Sequence, residues 1–596
     1  MRPPCPSWIY AENCTVSKLQ LVIPALALAF GPVLAIADGN NAATSSHDLE
    51  EVKVTGYRFL DEDTSGITNL PLAIDKVPQS ISLVNNDFVK AADLKDLSEI
   101  AQYTTGAMWG SYNPSDANEL WLRGFSANYA IDGLTVGYQI PEPDAAILAR
   151  YEVVKGPASV VYGAQSPGGI VNLVSKSASP DTPNYVEALA GSFGRYRIEG
   201  QIAHALNDSG TIRGIGVAAY EDQGSFVDFV HKNRTVIYGG LDFDLAQGLA
   251  GYVRASYQRT ENTPYNGIPT FQDGSVAPVP RSFFIGSSNL NNLSQTTRLD
   301  SGLDWQPTDF WSFDLKGLYH HLKHGGGNVY NYGYIADDGS FPYGGEKFLD
   351  WHIDDYSIAG SATRKLDDTG LKDSSISASV RYQHYEYNDY ELTGGGNAPN
   401  PNIFAGDGAI SAIFNALVPP NTYQQDQRMN YLTAAAQAVV KVASPLTLIG
   451  GIAWSQPRID QQLYFGSFAN FDPGNQVNYR GALEFEPVHD LNFYASYSES
   501  FQPNLRIDRN YQVLAPLSGK QYEVGAKYRP RPEILLTAAV FEIRENNIAV
   551  FDFSDANGEA LYRAENVRHR GVELDATGQV SRNWQVRGGL AWLDPK

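Results

Sequence analysis

From about residue 185 onward, apolar positions alternate with small or polar ones. The clearest stretches are 185–190, 195–205, 211–220, 235–245, 311–318, 375–385, 430–440, 491–498, 522–528 and 534–543. Successive side chains of a strand point to opposite faces, so a period of two predicts strands with one apolar and one polar side. The connections alternate as well. Short turns such as 207–210 and 304–310 are followed by excursions over 262–295, 323–348 and 388–424. Short turns on one side and long loops on the other fit an antiparallel barrel wall in a membrane. A soluble β-sandwich does not sustain loops of that length.

Residues 71–180 follow another pattern. Short apolar runs at 80–84 and 170–174 predict strands, while Phe88, Ala91, Leu94, Leu97 and Ile100 recur at helical spacing and predict a helix within 87–103. This is a compact α+β unit. Before it, 38–70 is polar and reads as a flexible arm. One strand-like patch interrupts the arm: Glu51, Val52, Lys53, Val54 and Thr55, ended by Gly56. Residues 1–37 read as a secretory signal peptide, with Arg2 and Lys18 before the apolar run 21–37 and Ala35-Ile36-Ala37 as cleavage site. A membrane anchor fits less well, because Pro24 and Pro32 break the run and no basic flank follows.

Composition agrees with a barrel. The chain has 35 Tyr and 55 Gly but only 18% charged residues and 3 Met. Strands, interfacial girdles and tight turns require that balance. Cys5 and Cys14 both fall in the signal, so neither a disulfide framework nor a cysteine metal site is expected in the mature chain. Without Arg2, Glu12 and Lys18 there remain 42 basic and 65 acidic residues, net −23, which argues against nucleic acid as a partner.

The densest motif is RYEVVKGPASVVYGAQSPGGIVNLVSK at 150–176, in which Gly156-Pro157 and Pro167-Gly168-Gly169 force turns between two strands. With VPQSISLV at 77–84, YTTG at 103–106, LRGF at 122–125 and IDGL at 131–134, it resembles the plug domain of TonB-dependent outer-membrane receptors, ferric-siderophore (ferrichrome-type) branch. In the later region YASYSESFQP at 494–503, GKQYEVG at 519–525 and RGVEL at 570–574 are similar to barrel segments of the same family. The resemblance covers 50–593. It implies a mostly β protein: signal peptide 1–37, periplasmic arm 38–70, α+β plug 71–182 and transmembrane β-barrel 183–596.

The resemblance also implies site residues. Glu51, Val52, Lys53, Val54 and Thr55 become a TonB box, an extended peptide that adds a strand to the energy-transducing partner. Too few residues precede it for a signalling domain. Arg123 of the plug is expected to face Glu523 and Glu573 of the wall. The family's second plug arginine is missing here, so two glutamates must share one arginine unless a glutamate takes a raised pKa or another cation is supplied. Ligand contacts are expected at plug apex loops and extracellular loops, from Trp109, Tyr112, Tyr138, Tyr330, Tyr332 and Tyr334, with Tyr343 in the same loop and Tyr385, Tyr387 and Tyr390 at the base of another. His320, His321 and His324 lack the spacing of a metal set. No catalytic constellation is found, so no enzyme and no cofactor is expected.

Family plugs sit in barrels of about 22 strands, whereas about 17 are counted here, so the barrel is expected to be incomplete and the chain truncated at its C-terminus. An open wall leaves backbone groups unpaired in hydrocarbon, so such a chain is not expected to insert as a working channel. The implied function is TonB-dependent import of a ferric siderophore across the outer membrane of a Gram-negative bacterium. Expected partners are the TonB complex, the ferric siderophore and outer-membrane lipid, with the protein a monomer. The alternatives are uptake of a cobalamin or an oligosaccharide, a surface adhesion or phage-docking barrel, and a non-functional fragment.

Overall fold

The computed structural model describes residues 68, 70–110, 119–137, 143–265, 267–288, 290–331, 333–394, 402–405, 421–462, 468–556 and 560–596. The signal peptide, nearly all of the arm with its 51–55 patch, Tyr112, Tyr138, Tyr332 and the side chain of Tyr330 lie outside them.

The plug contains strands β1 (Ile81–Asn85), β2 (Ala107–Gly110), β3 (Glu119–Leu122), β4 (Phe125–Ser126), β5 (Asn128–Ile131), β6 (Leu134–Val136), β7 (Leu148–Lys155) and β8 (Gly169–Ser175). Five of them form a sheet in the order β1-β7-β8-β5-β6, and β2-β3-β4 form a second sheet. The helical stretch expected within 87–103 is corrected to two short helices, α1 (Asn86–Ala91) and α2 (Leu97–Ala101). The break has a local cause. Asp93 takes a left-handed φ of 54°, and Asp96 with Glu99 forms a capping box that starts α2 afresh. A single turn, α3 (Ser159–Tyr162), follows the Gly156-Pro157 turn.

The wall follows after a short link. Its strands are β9 (Tyr185–Ala190), β10 (Tyr196–Ala205), β11 (Ile212–Gly224), β12 (His231–Ala246), β13 (Leu249–Asn262) and β14 (Asn292–Thr308). Next come β15 (Trp311–Asn331), β16 (Tyr343–Lys365), β17 (Ser375–Gly394), β18 (Asn421–Ala443), β19 (Leu446–Gln462) and β20 (Phe468–Phe471). The last are β21 (Gln476–Val488), β22 (Leu491–Gln502), β23 (Leu517–Arg531), β24 (Ile534–Ser554), β25 (Ala560–Ser581) and β26 (Trp584–Pro595). Seventeen strands carry the wall, and β20 is a four-residue spur on β19. Six turns of two residues join strands on one side, among them Thr308 to Trp311 and Val488 to Leu491.

Three expected boundaries are corrected. The turn at 304–310 shrinks to 309–310, because β14 runs to Thr308. The excursions 323–348 and 388–424 shrink as well, because β15 and β17 continue to Asn331 and Gly394. A tilted strand crosses a bilayer in about 9–11 residues. Strands of 21 to 23 residues such as β15 and β16 therefore extend beyond it as paired ribbon rather than loop.

Alternation sorts each strand. On β10, Arg197 and Glu199 are buried inward, while Tyr196, Ile198 and Ile202 are exposed outward. An outward band of large apolar side chains suits lipid rather than water. Aromatic pairs flank it: Trp305, Trp311 and Phe313 stack near a short turn, and Tyr319 meets Tyr356 at 5.0 Å further up. Plug and wall share a core, with Leu97, Leu122, Tyr129 and Val171 packed in one cluster with Ile215, Val217 and Val236.

In sheet order β26 is followed by β9, as in a closed barrel. The registers run in chain order from β9 through to β26 and the order returns to β9, so the open wall expected from the sequence is corrected to a closed barrel.

Candidate functional site: ionic docks and the lumen

Three clusters of buried charge fix the plug to the wall. In the first, Arg123 sits in the turn between β3 and β4 with a left-handed φ of 54°, its N–H donating to Gly106 O at 2.9 Å. Its Nε and Nη2 donate to Glu573 at 3.0 and 2.8 Å, and Nη1 to Glu523 at 2.6 Å and Gln521 at 2.9 Å. This two-pronged geometry is available to arginine and not to lysine. The guanidinium lies 3.9 Å from the Phe541 ring centre. Burial opposes its charge, but Glu573 and Glu523 more than offset that and hold it protonated.

The structure brings Arg123, Glu523 and Glu573 together and resolves the charge question left by the absent second arginine. Lys155 supplies the other cation, with Nζ 3.4 Å from Glu573 and 3.6 Å from Asp575. Sequence reading gave Lys155 no role beyond its place in the 150–176 motif. Glu523 is further satisfied by Ser80 N and Oγ, both at 2.9 Å, and by Tyr494 OH at 2.6 Å. Nearby, Lys527 donates to Ile74 O and Val77 O at 2.8 and 2.7 Å and tethers the start of the plug.

The second dock reverses the polarity. Here the plug supplies carboxylates, Asp96 at the start of α2 and Asp144, and the wall supplies Arg197 on β10 and Arg234 on β12. Arg197 grips Asp144 with both Nη atoms at 2.9 and 2.7 Å. Arg234 lies 2.9 Å from Asp144 and 2.5 Å from Asp96. Burial would raise the Asp144 carboxyl, but Arg234 and Arg197 prevail and bring it down to about 2. The third dock serves the Ile131-Asp132-Gly133-Leu134 turn. Asp132 accepts from Ser175 N at 2.9 Å and lies 3.5 Å from Arg254 and 3.8 Å from Arg298.

Above the plug the inward face of the wall is aromatic. Phe348, Trp351, Tyr385 and Tyr387 share an apolar cluster with Leu322, Ile353, Met429 and Ile459. It touches the plug where Gly137 N donates to both oxygens of Asp355 at 3.0 and 3.1 Å, and a Cβ on Gly137 would strike the Tyr385 ring. Higher still, the loops after β13, β15 and β17 pack around Ile285, Ile335, Phe341, Tyr343 and Ile403. Bridges Phe271–Ile335 and Ser340–Asn402 tie those loops together.

Of the six expected ligand residues, only Trp109 and Tyr334 have side chains among the described residues. Trp109 is half-buried against the plug core, Tyr334 is 60% exposed, and Tyr112, Tyr138 and Tyr332 lie outside the described residues, as does the side chain of Tyr330. Tyr343 belongs to the loop core. Strand parity splits the other trio, Tyr385 and Tyr387 facing in and Tyr390 out. Trp351 and Phe348 were missed: parity with Ile353 and Asp355 marks Trp351 as inward, but a bulge between Phe348 and Asp350 takes Phe348 out of that parity. The histidines have separate partners: His320 meets Asp355 at 3.4 Å, His321 meets Asp354 at 2.9 Å, and His324 meets Ser294 at 2.8 Å.

An α+β plug held by buried ion pairs inside a wall with a lipid-facing apolar band defines a plugged outer-membrane receptor. The chain belongs to the TonB-dependent receptor family: residues 218–596 match "TonB dependent receptor-like, beta-barrel" and residues 73–170 match "TonB-dependent Receptor Plug Domain". It is an outer-membrane protein. It is 28% identical to the Ferripyoverdine receptor of Pseudomonas aeruginosa, over 92% of this chain and 70% of that one. It is 26% identical to the Ferrichrome outer membrane transporter/phage receptor of Escherichia coli, over 88% of this chain and 74% of that one. The solved ferripyoverdine receptor of Pseudomonas aeruginosa bound to ferripyoverdine superposes with a TM-score of 0.80 at 23% identity, covering 91% of this chain and 74% of that one.

Proposed function

We propose that this protein imports a ferric siderophore across the outer membrane, driven by TonB. The observation that carries the reading is the plug itself, held inside the wall by charge pairs that rigid-body movement breaks, in a chain whose relatives are named as ferric-siderophore receptors. In this reading 71–182 is the plug, 183–596 the wall, and Glu51, Val52, Lys53, Val54 and Thr55 the peptide that TonB pulls. The iron stays in its chelator, so the protein needs aromatic and polar contacts to the chelate rather than metal ligands. Trp351, Tyr385 and Tyr387, beside the Gly137 apex, offer that surface.

Uptake of radioactive iron tests it in a host lacking its own receptors, under iron limitation, across hydroxamate, catecholate and mixed chelates. Expression is expected to restore uptake of at least one chelate, and deleting 51–55 is expected to abolish uptake while surface binding persists. Uptake of none, or uptake that survives the deletion, would sink the proposal. Phage or bacteriocin adsorption unaffected by the deletion, without any uptake, would support a docking barrel instead.

A further inference from the structure

Three carboxylates face the lumen between the aromatic cluster and the loop core, and among the described residues no cation is paired with them. Glu391 on β17 stands opposite Phe348 of β16, and Glu346 lies diagonally beside it. Asp389 is the next inward position on β17. Asp389 and Glu391 are only 7% and 9% exposed. Glu346 accepts from Asn328 at 3.3 Å, and Asp389 Oδ2 accepts from Tyr387 OH at 2.8 Å. Among the described residues no lysine, arginine or histidine pairs with any of the three.

Two buried polar groups on the same face are unsatisfied. Among the described residues Asp389 Oδ1 has no hydrogen-bond partner, nor has Oε1 of Gln427, a residue 2% exposed on β18 opposite Tyr387. Buried acceptors without donors and like charges without a counter-charge are both costly. A donor carrying positive charge relieves both at once.

We propose that Glu346, Asp389 and Glu391 form a subsite for a protonated amine on the imported ferric chelate. The subsite rests on the import reading and narrows it to chelates with a cationic arm. The arm seats between the carboxylates, donates to Asp389 Oδ1 and Gln427 Oε1, and leaves the iron-bearing body against Trp351 and Tyr385.

The test compares a linear ferric tris-hydroxamate ending in a primary amine with its N-acetylated form, by equilibrium binding to outer-membrane vesicles carrying the full chain. Wild type is expected to prefer the amine at least about tenfold, as loss of a charge-assisted bond of about 1.4 kcal/mol or more requires. The triple variant Glu346→Gln, Asp389→Asn, Glu391→Gln is expected to bind both forms alike, with the acetylated form bound as by wild type. That last measurement guards against a variant that simply misfolds. Equal affinity of wild type for the two forms, or a preference that survives in the triple variant, overturns the subsite. Binding of neither form also overturns it, and uptake of other chelates in the panel above would then leave the import reading standing alone.

Discussion

The two strongest docks hold the same plug with opposite polarity. At β23 and β25 the plug brings cations, Arg123 and Lys155, to wall carboxylates. At β10 to β12 it brings carboxylates, Asp96 and Asp144, to wall arginines. The difference lies in what the wall keeps when the plug leaves. Arg197 retains Glu199 at 2.7 Å, and Arg234 retains Glu221 at 3.0 Å. Glu523 and Glu573 retain no wall cation within 4 Å among the described residues, only neutral donors such as Gln521 and Tyr494 to Glu523. The first dock therefore leaves buried charge uncompensated when it opens, and the second neutralises itself. This predicts that a pull on the plug opens the β10–β12 side first and that the Arg123 dock sets the force.

Removing Arg123 is the largest way to break the contrast. Arg123→Ala strands Glu523, which is 0% exposed, and leaves Glu573 with Lys155 alone, and breaking a buried pair from one side costs about 3–5 kcal/mol. The plug of the variant is expected to become sensitive to added protease in intact outer membranes. Resistance equal to wild type would show that the dock holds little. Asp144→Asn comes next. Its arginines keep their wall glutamates, so about 1–3 kcal/mol is expected from one lost buried charge-assisted contact. Protease sensitivity should rise less than for Arg123→Ala, and an equal or larger rise would erase the asymmetry.

Acid tests the second dock through Asp144. The folded Asp144 carboxyl lies at about 2, below the ordinary value of 3.8. A depressed carboxyl contributes stability that is complete above its unfolded pKa and is lost as pH falls through the folded one. Holding of the plug by this dock is therefore expected to weaken between about pH 4 and pH 2. A shift of that size is worth at most about 2.5 kcal/mol. Asp144→Asn should flatten that part of a pH series of heat-modifiable mobility, and a series as steep as wild type would remove Asp144 from the account.

The legibility of these parts differs for physical reasons. Wall strands were readable because burial on one face imposes a period of two, visible within ten residues. Their ends were not, since paired ribbon above the membrane has no lipid-facing side to impose the pattern, as at the top of β15 and β17. The plug helix was over-extended because apolar spacing continued across Asp93, where left-handed backbone interrupts it. Arg123 meets Glu573 across 450 residues, a contact that no local pattern encodes and that only family resemblance suggested. The β10–β12 dock escaped notice because Arg197 and Arg234 look like ordinary polar positions of an alternating strand. Lys155 was hidden by its own motif, whose glycines and prolines account for the turn without assigning the lysine a role.

That lysine offers the smallest and most selective test. Lys155 touches Glu573 with one contact at 3.4 Å, whereas Arg123 binds the same carboxylate with two. Lys155→Gln keeps a donor near Glu573 and removes the charge, so about 1 kcal/mol is expected. If Lys155 acts as the second cation of the dock, its worth depends on Arg123. With Arg123→Gln already present, Lys155 is the remaining cation at Glu573, and its removal should cost more than in wild type. A double-mutant cycle on the protease resistance of the plug reads that coupling, expected at about 0.5–3 kcal/mol. Strict additivity would mean that the two cations do not share the glutamates, and the first dock would then rest on Arg123 alone.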